Sequence, residues 1–315
     1  MKKIAVLADY LEPSHHALID STAARCGFAV DYYPDCRVPA ELAGTYEVVH
    51  GMPKPGDLKT FTGMRWFCGS FAGVDAYLDD ALYPSPEVML SNSSGAYGVT
   101  IAEHLIMVTL MLLRHADTYL HHADAHRWGP VMPMRSIIGS TITVLGTGDI
   151  GTEFARRAKA MGAKEIRGVR RTKKAADPAF DGVYTHAELD SLLPDTDILV
   201  MALPSTADTV GILSRDRIAL LPETAYVVNV GRGTAIDQPA LVEALNAGKL
   251  AGAALDVFEK EPIPAGDPVW DAKNLLITPH ISGQMSLGYT RDKNVALFCE
   301  DLENYAAGRP LKRYV

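Results

Sequence analysis

Short apolar runs rich in β-branched residues recur along the chain, separated by polar turns or by stretches with a period near 3.6. Up to Asn92 the runs are 4–7, 28–33, 47–50, 66–68 and 88–90, a spacing that predicts a small parallel sheet joined by crossover helices. Ser91-Asn92-Ser93-Ser94-Gly95 is a polar break, read here as a hinge. It precedes a helix that starts near Tyr97 and carries the apolar stripe Ile101, Leu105, Val108 and Leu112. After a loop with Gly129-Pro130 and Pro133 the runs resume at 140–145, 164–169, 182–185, 198–203, 226–230, 253–258 and 276–278. The stretch 294–305 is helical and amphipathic, and is expected to fold back onto the first domain, making that domain discontinuous.

One run ends differently from the rest. The stretch 140–145 breaks into Gly146-Thr147-Gly148-Asp149-Ile150-Gly151, and the helical pattern Phe154, Ala155, Ala158, Met161 follows at once. Strand, glycine turn and helix start are the parts of a dinucleotide site. Gly146 makes the turn, Gly148 lets the backbone approach a pyrophosphate, and Gly151 lets the helix pack on the sheet with its N-terminus facing the phosphates. A lone Gly-x-Gly-x-x-Gly is often only a turn; here the flanking strand and helix carry the reading. The expected fold is therefore α/β, with a Rossmann-type doubly wound parallel sheet in a dinucleotide-binding domain over 97–284. A second, flavodoxin-like α/β domain for substrate, discontinuous in sequence, takes 1–96 and 285–315.

The next run bears on which dinucleotide is bound. About twenty residues past the start of such a motif an NAD enzyme usually has Asp or Glu for the ribose 2′-hydroxyl. This chain has Arg170-Arg171-Thr172-Lys173-Lys174 instead. A carboxylate repels a 2′-phosphate, whereas two guanidinium forks and a hydroxyl hold one, so NADP is expected over NAD. A solvated basic loop is the other reading of such a run.

Composition narrows the class further. At 315 residues the chain is long enough for two domains with their own cores, and 30 basic against 38 acidic side chains give a net charge of −8. That balance argues against nucleic acid as the main partner. Cys26, Cys36, Cys68 and Cys299 have no Cys-x-x-Cys spacing, which suggests a reducing compartment. Lys2, Lys3 and the apolar run after them start like a signal peptide, but Asp9 and Glu12 follow too soon; we read a first strand and a cytoplasmic protein. The apolar stretch 101–113 carries Glu103 and His104 and is too short to span a bilayer, so no membrane association is expected. His122 and His126 have the i, i+4 spacing of a helical metal pair beside His121, but a third ligand is lacking and no metal is expected.

Three strand ends in the second domain each deliver a different chemical type. Arg232 follows 226–230, Glu261 follows 253–258, and His280 follows 276–278, so all three reach the mouth of the same crevice. Such a set suits hydride transfer to a 2-keto acid. Arg232 holds the carboxylate and polarises the keto oxygen, His280 donates the proton, and a carboxylate such as Glu261 favours the protonated form of an imidazole beside it. Each also has a plain structural use: a surface ion pair, a helix-start acid before Pro262, a satisfied loop histidine. In the first domain, His50-Gly51-Met52-Pro53 and Ser70-Phe71-Ala72-Gly73-Val74-Asp75 follow strands, and their glycines either leave backbone N–H groups for an anion or simply make turns.

Taken together these residues resemble the D-isomer-specific 2-hydroxyacid dehydrogenase family, which includes glyoxylate and hydroxypyruvate reductases, phosphoglycerate, D-lactate and formate dehydrogenases. The likeness runs from about Trp66 to Val315, is strongest over 142–283, and is most specific at 228–233, 252–262 and 278–283. The resemblance implies the catalytic roles just given for Arg232, Glu261 and His280. It also implies that Asp256 binds the nicotinamide carboxamide, that Leu203 and Pro204 border the adenosine, and that Val230, Ser282 and Gly283 belong to the coenzyme site. Ala72, Gly73 and Val74 then offer backbone groups to a substrate carboxylate, with Gly51 and Phe71 beside them. The arginine pair at 170 and 171 is similar to NADP-preferring members, with NAD possible, and a homodimer through the dinucleotide-binding domain follows by the same likeness. Gly231 stands where alanine is commoner, a departure expected to be mild, and Phe71 where a small polar residue is commoner, which would narrow the substrate pocket. The reading is a small 2-keto acid reductase; a phosphoglycerate dehydrogenase and a nucleotide-sensing, corepressor-like binding protein are the alternatives.

Overall fold

Alternation along β1 (Lys2–Leu7) sends Ile4 and Val6 to one face of a sheet and Ala5 and Leu7 to the other, and all four are buried. A strand apolar on both faces belongs inside a covered parallel sheet. In this computed structural model, which describes residues 1–173 and 177–315, β1 is followed by α1 (Pro13–Arg25), β2 (Phe28–Tyr32), α2 (Ala40–Ala43), β3 (Val48–Gly51), β4 (Trp66–Gly69) and β5 (Met89–Ser91). The strands pair in parallel in the order β2-β1-β3-β4-β5, the flavodoxin-like order. One face packs Ile4, Val6, Val48 and Trp66 against Val295, Phe298 and Leu302 near the C-terminus. The other packs Ala5, Leu7, Val49 and Phe67 against Leu58 and Phe61.

The long helix after the polar break is α3 (Gly98–Leu113), bent by 65° from α4 (Ala116–Asp124). Next come β6 (Thr141–Leu145), α5 (Asp149–Ala160), β7 (Glu165–Arg170), β8 (Gly182–Thr185), α6 (Leu189–Leu192), β9 (Ile198–Met201), α7 (Arg215–Leu220), β10 (Tyr226–Asn229), α8 (Gln238–Asn246), β11 (Gly252–Leu255) and β12 (Leu275–Ile277). They form a seven-stranded parallel sheet ordered β12-β11-β10-β9-β6-β7-β8. The chain starts mid-sheet at β6, runs outward through β7 and β8, and returns to β9 on the other side. That reversal makes the β6/β9 boundary the switch point at which doubly wound sheets bind ligands. The fold is thus the expected α/β class with a Rossmann-like sheet.

The chain divides into two units, Met1–Tyr97 with Gln284–Val315, and Gly98–Gly283. The last helix, α9 (Gly288–Ala306), packs on α1 and supplies the C-terminal side chains of the first core. Among the described residues no single helix is long and apolar enough to cross a membrane. Lys174, the end of the basic run after β7, lies outside the described residues.

Candidate active site

At the end of β6 the backbone turns at Gly146, whose φ of +103° suits glycine and whose absent Cβ would lie 2.6 Å from Ala202 O. A Cβ at Gly151 would lie 1.9 Å from Gly146 O, so a side chain there would push α5 off its strand. Gly148 caps α5, and a Cβ on it would meet nothing within 4 Å. Open space over the first turn of a twelve-residue helix, with backbone N–H groups facing it, fits a phosphate of a dinucleotide. The Asp149 carboxylate is engaged elsewhere: its Oδ2 accepts the Gly98 N–H at 2.7 Å, at the start of α3. Thr147 packs its methyl against Gly168, and the half-buried Ile150 lies in the first turn of α5.

Arg170 closes β7, and Arg171 and Thr172 follow it exposed. Neither guanidinium has a hydrogen bond or salt bridge to another described residue, whereas Lys173 reaches Glu188 at 3.3 Å. Across the switch point, Leu203 is buried beside the Gly146 turn, and Pro204 O accepts the Thr209 hydroxyl.

β10, β11 and β12 lie side by side with Asn229 opposite Leu255 and Leu255 opposite Ile277. Arg232 and His280 each stand three residues beyond those ends, and Glu261 six. The loop carrying Arg232 is folded by Asn229, whose buried side chain donates to Arg232 O at 2.9 Å and accepts from the Gly231 N–H at 2.9 Å. Gly233 seats this loop directly on the next one, since a Cβ there would fall 1.9 Å from the Phe258 carbonyl carbon. Gly231 is also closely placed, 2.6 Å from Leu203 O by the same measure. An alanine there would meet backbone, so one of the two strand-end loops would have to shift to admit it. Arg232 donates from Nη1 to Gly231 O at 2.7 Å.

Glu261 accepts the Phe258 N–H on Oε1 at 2.8 Å and lies 2.6 Å from His280 Nδ1 on Oε2. The contact with Glu261 engages Nδ1 of the ring, and the His280 side chain is 52% exposed. His280 has φ +52°, and the turn around it is gathered by the buried Asp256. Thr278 donates to Asp256 Oδ1 at 2.6 Å, Ile281 N–H to Oδ1 at 3.0 Å, Ser282 N–H to Oδ2 at 3.0 Å, and His280 N–H to Asp256 O at 2.9 Å. Val230 donates to Met201 O, and Gly283 follows Ser282 at the end of this unit.

In the other unit, Gly51 has φ +130° with Leu7 O only 2.0 Å from where a Cβ would stand. Phe71 stacks on Tyr77 with ring centres 4.5 Å apart and meets Phe67 edge-on. Asn92 donates to Ala72 O and Ser93 N–H to Phe71 O, which staples the Phe71-Ala72-Gly73-Val74 loop to the strand β5 exit. Behind it Tyr10, Ser70, His50, Asn294 and Ser93 form a buried polar network.

Asn229 and Gly233 were not singled out from sequence. The signal available was an Asn two residues before a Gly-Arg-Gly, the composition of a side-chain-closed turn. On α4 and just beyond it, the His122 ring meets Tyr119, and among the described residues no group of three or more His, Cys, Asp or Glu is placed to hold a metal.

Residues 106–282 match the family model described as D-isomer specific 2-hydroxyacid dehydrogenase, NAD binding domain. The glyoxylate/hydroxypyruvate reductase B of Serratia proteamaculans is 32% identical over 214 residues, 66% of this chain and 65% of that protein. A D-isomer specific 2-hydroxyacid dehydrogenase family protein from Aeromonas salmonicida superposes with TM-score 0.84 at 30% identity, over 100% of this chain and 98% of that one. The NADPH-dependent glyoxylate/hydroxypyruvate reductase of Sinorhizobium meliloti, solved with NADP and sulfate, gives 0.82 at 26% identity over the same shares.

Proposed function

The chain belongs to the D-isomer-specific 2-hydroxyacid dehydrogenase family, a family of NAD(P)-dependent oxidoreductases, and from that premise we propose that it reduces a small 2-keto acid to the D-2-hydroxy acid with NADPH. The observation that carries the reading is the 2.6 Å contact of His280 with Glu261 on strand ends neighbouring the one that bears Arg232. A reduced nicotinamide, when bound, supplies the hydride. Arg232 binds the substrate carboxylate and polarises the keto oxygen, and His280 gives that oxygen a proton from Nε2 while Glu261 steadies the imidazolium on Nδ1. Gly146, Thr147, Gly148, Ile150 and Gly151 cradle the pyrophosphate with the backbone of Asp149, while Leu203, Pro204, Val230, Ser282 and Gly283 line the rest of the coenzyme site. Asp256 Oδ2 accepts one N–H from the turn and keeps a lone pair for a carboxamide. In the other unit, Gly51, Phe71, Ala72, Gly73 and Val74 are the proposed substrate-binding residues.

The preference for NADPH rests on Arg170 and Arg171, two guanidinium groups with no hydrogen bond or salt bridge to a described residue, at the end of β7, where a 2′-phosphate needs them. The S. meliloti protein, named as NADPH-dependent, supports it by likeness. We further propose a homodimer through the dinucleotide-binding unit and a cytoplasmic location. The first is supported by exposed Leu120, Trp128, Met132 and Ile138, and the second by four cysteines that all remain free.

A panel of 2-keto acids, glyoxylate and hydroxypyruvate included, assayed with NADPH is expected to find turnover. His280→Ala should abolish it on the order of a thousandfold while NADPH binding persists. No turnover with any keto acid would reject the proposal.

A further inference from the structure

A short run of hydrogen bonds connects α3 with the turn that carries His280, and the chemistry above makes no use of it. The His104 side chain, 9% exposed, has Nε2 at 3.3 Å from Thr278 Oγ1 and 4.0 Å from Asp256 Oδ1. Thr278 Oγ1 is itself 2.6 Å from Asp256 Oδ1. A hydroxyl has one proton and a carboxylate only accepts, so that proton lies in the Thr278–Asp256 bond. The imidazole must then donate from Nε2 to Thr278 Oγ1, which sets its tautomer. Burial pushes His104 below its ordinary value, against the pull of Asp256, and so favours the neutral ring; the donation from Nε2 stands in either charge state.

The run ends on the turn. Asp256 receives the N–H groups of His280, Ile281 and Ser282, the three residues after Pro279. His280 stands in the left-handed region at φ +52°, a conformation that a residue with a side chain keeps only where its surroundings over-determine it. Thr278 fixes the rotation of the Asp256 carboxylate, and His104 fixes Thr278.

Resting on the reading of His280 as proton donor, we infer that His104 is a positioning residue. Through Thr278 it locks the Asp256 carboxylate, and Asp256 holds the His280 turn in the orientation that aims its imidazole. A displacement of about 1 Å at a reacting group costs on the order of a hundredfold in rate, so a residue two bonds removed from the turn is visible in turnover.

Three variants separate this from a role in packing. His104→Phe keeps a ring and removes the donor, Thr278→Val keeps the shape and removes the hydroxyl, and His104→Gln returns an N–H near the place of Nε2. In steady-state reduction of a 2-keto acid, the Phe and Val variants should lower kcat roughly tenfold to a hundredfold, with KM and the NADPH dissociation constant moved by less than about threefold. The Gln variant should recover most of kcat. The His104→Phe/Thr278→Val double variant should fall no further than the worse single one, because both cut the same run. Hydrogen exchange read by mass spectrometry should show faster exchange of the amides at 280–282 in the Phe variant alone of the two His104 variants. Unchanged exchange there overturns the inference, as does a kcat that falls only in step with melting temperature and coenzyme binding. Failure of the wild-type chain to turn over any keto acid would refute the reductase reading by itself, since the exchange measurement decides the positioning without turnover.

Discussion

His50 is a different base from the exposed histidines of this chain, because water is gone from around it. Its ring lies flat on Phe298 at 4.0 Å, Nδ1 is 3.1 Å from Cys68 O, and Nε2 is 3.5 Å from Ser70 Oγ. Burial pushes it down to about 4, against hydrogen bonds to Cys68 and Asn294 that pull it up. Unfolded, it titrates near 6.5. Between those values the unfolded chain takes a proton that the folded one refuses, so stability falls as pH falls through the window and is untouched by this group above it. The loss from pH 7 to pH 5 is about 2 kcal/mol. Urea unfolding at both pH values should show His50→Asn losing less than the wild type over that step; equal losses would remove His50 from the account. Arg170 makes the second residue-scale prediction. Arg170→Asp should lower the ratio of kcat/KM for NADPH over NADH by on the order of tenfold to a hundredfold, the worth of one charge-assisted hydrogen bond. An unchanged ratio would reject the NADP assignment. Arg232, Glu261 and His280 were legible as candidates because each is a reactive type within six residues of the end of an apolar strand. His104 was not, since a polar residue inside an apolar helix reads the same whether it faces water or a carboxylate.

Elements were legible where local pattern and local structure coincide. The β-branched run before Gly146, the turn and the helix after it are written within about twenty neighbouring residues, and the strand, the φ of +103° and α5 all stand there. Ends were less legible. The runs 198–203 and 253–258 were expected to be strands to their last apolar residue, yet the ladders stop at Met201 and Leu255 while Leu203, Val257 and Phe258 stay buried. Hydropathy marks burial, whereas a strand needs a neighbouring backbone with which to pair. Past the last pair the chain is released into loops, and those loops carry Pro204, Asp256 and Glu261. Gly231 and Gly233 belong with them: a glycine in a loop says that something is close, and only the neighbouring strand says what.

At the scale of the whole molecule, the surface after α3 predicts assembly. Trp128 is fully exposed and Ile138 is 73% exposed, two large apolar side chains in the segment between α4 and β6 that a partner copy would cover. Light scattering should give twice the 34.1 kDa chain mass, and Trp128→Glu with Ile138→Glu should halve it; a wild-type mass of one chain would end the dimer proposal.

The sequence alone determined the α/β class, the glycine turn, the basic strand end and the three strand ends with reactive side chains, because period, turn chemistry and strand exits are properties of adjacent residues. Tertiary structure decided the rest. His104 and Thr278 are 174 positions apart, and Thr278 and Asp256 are 22 apart. They meet because β11 and β12 are neighbours in the sheet and α3 packs against β11, and neighbourhood among distant segments is set by how the layers bury their apolar faces together, which no local pattern records.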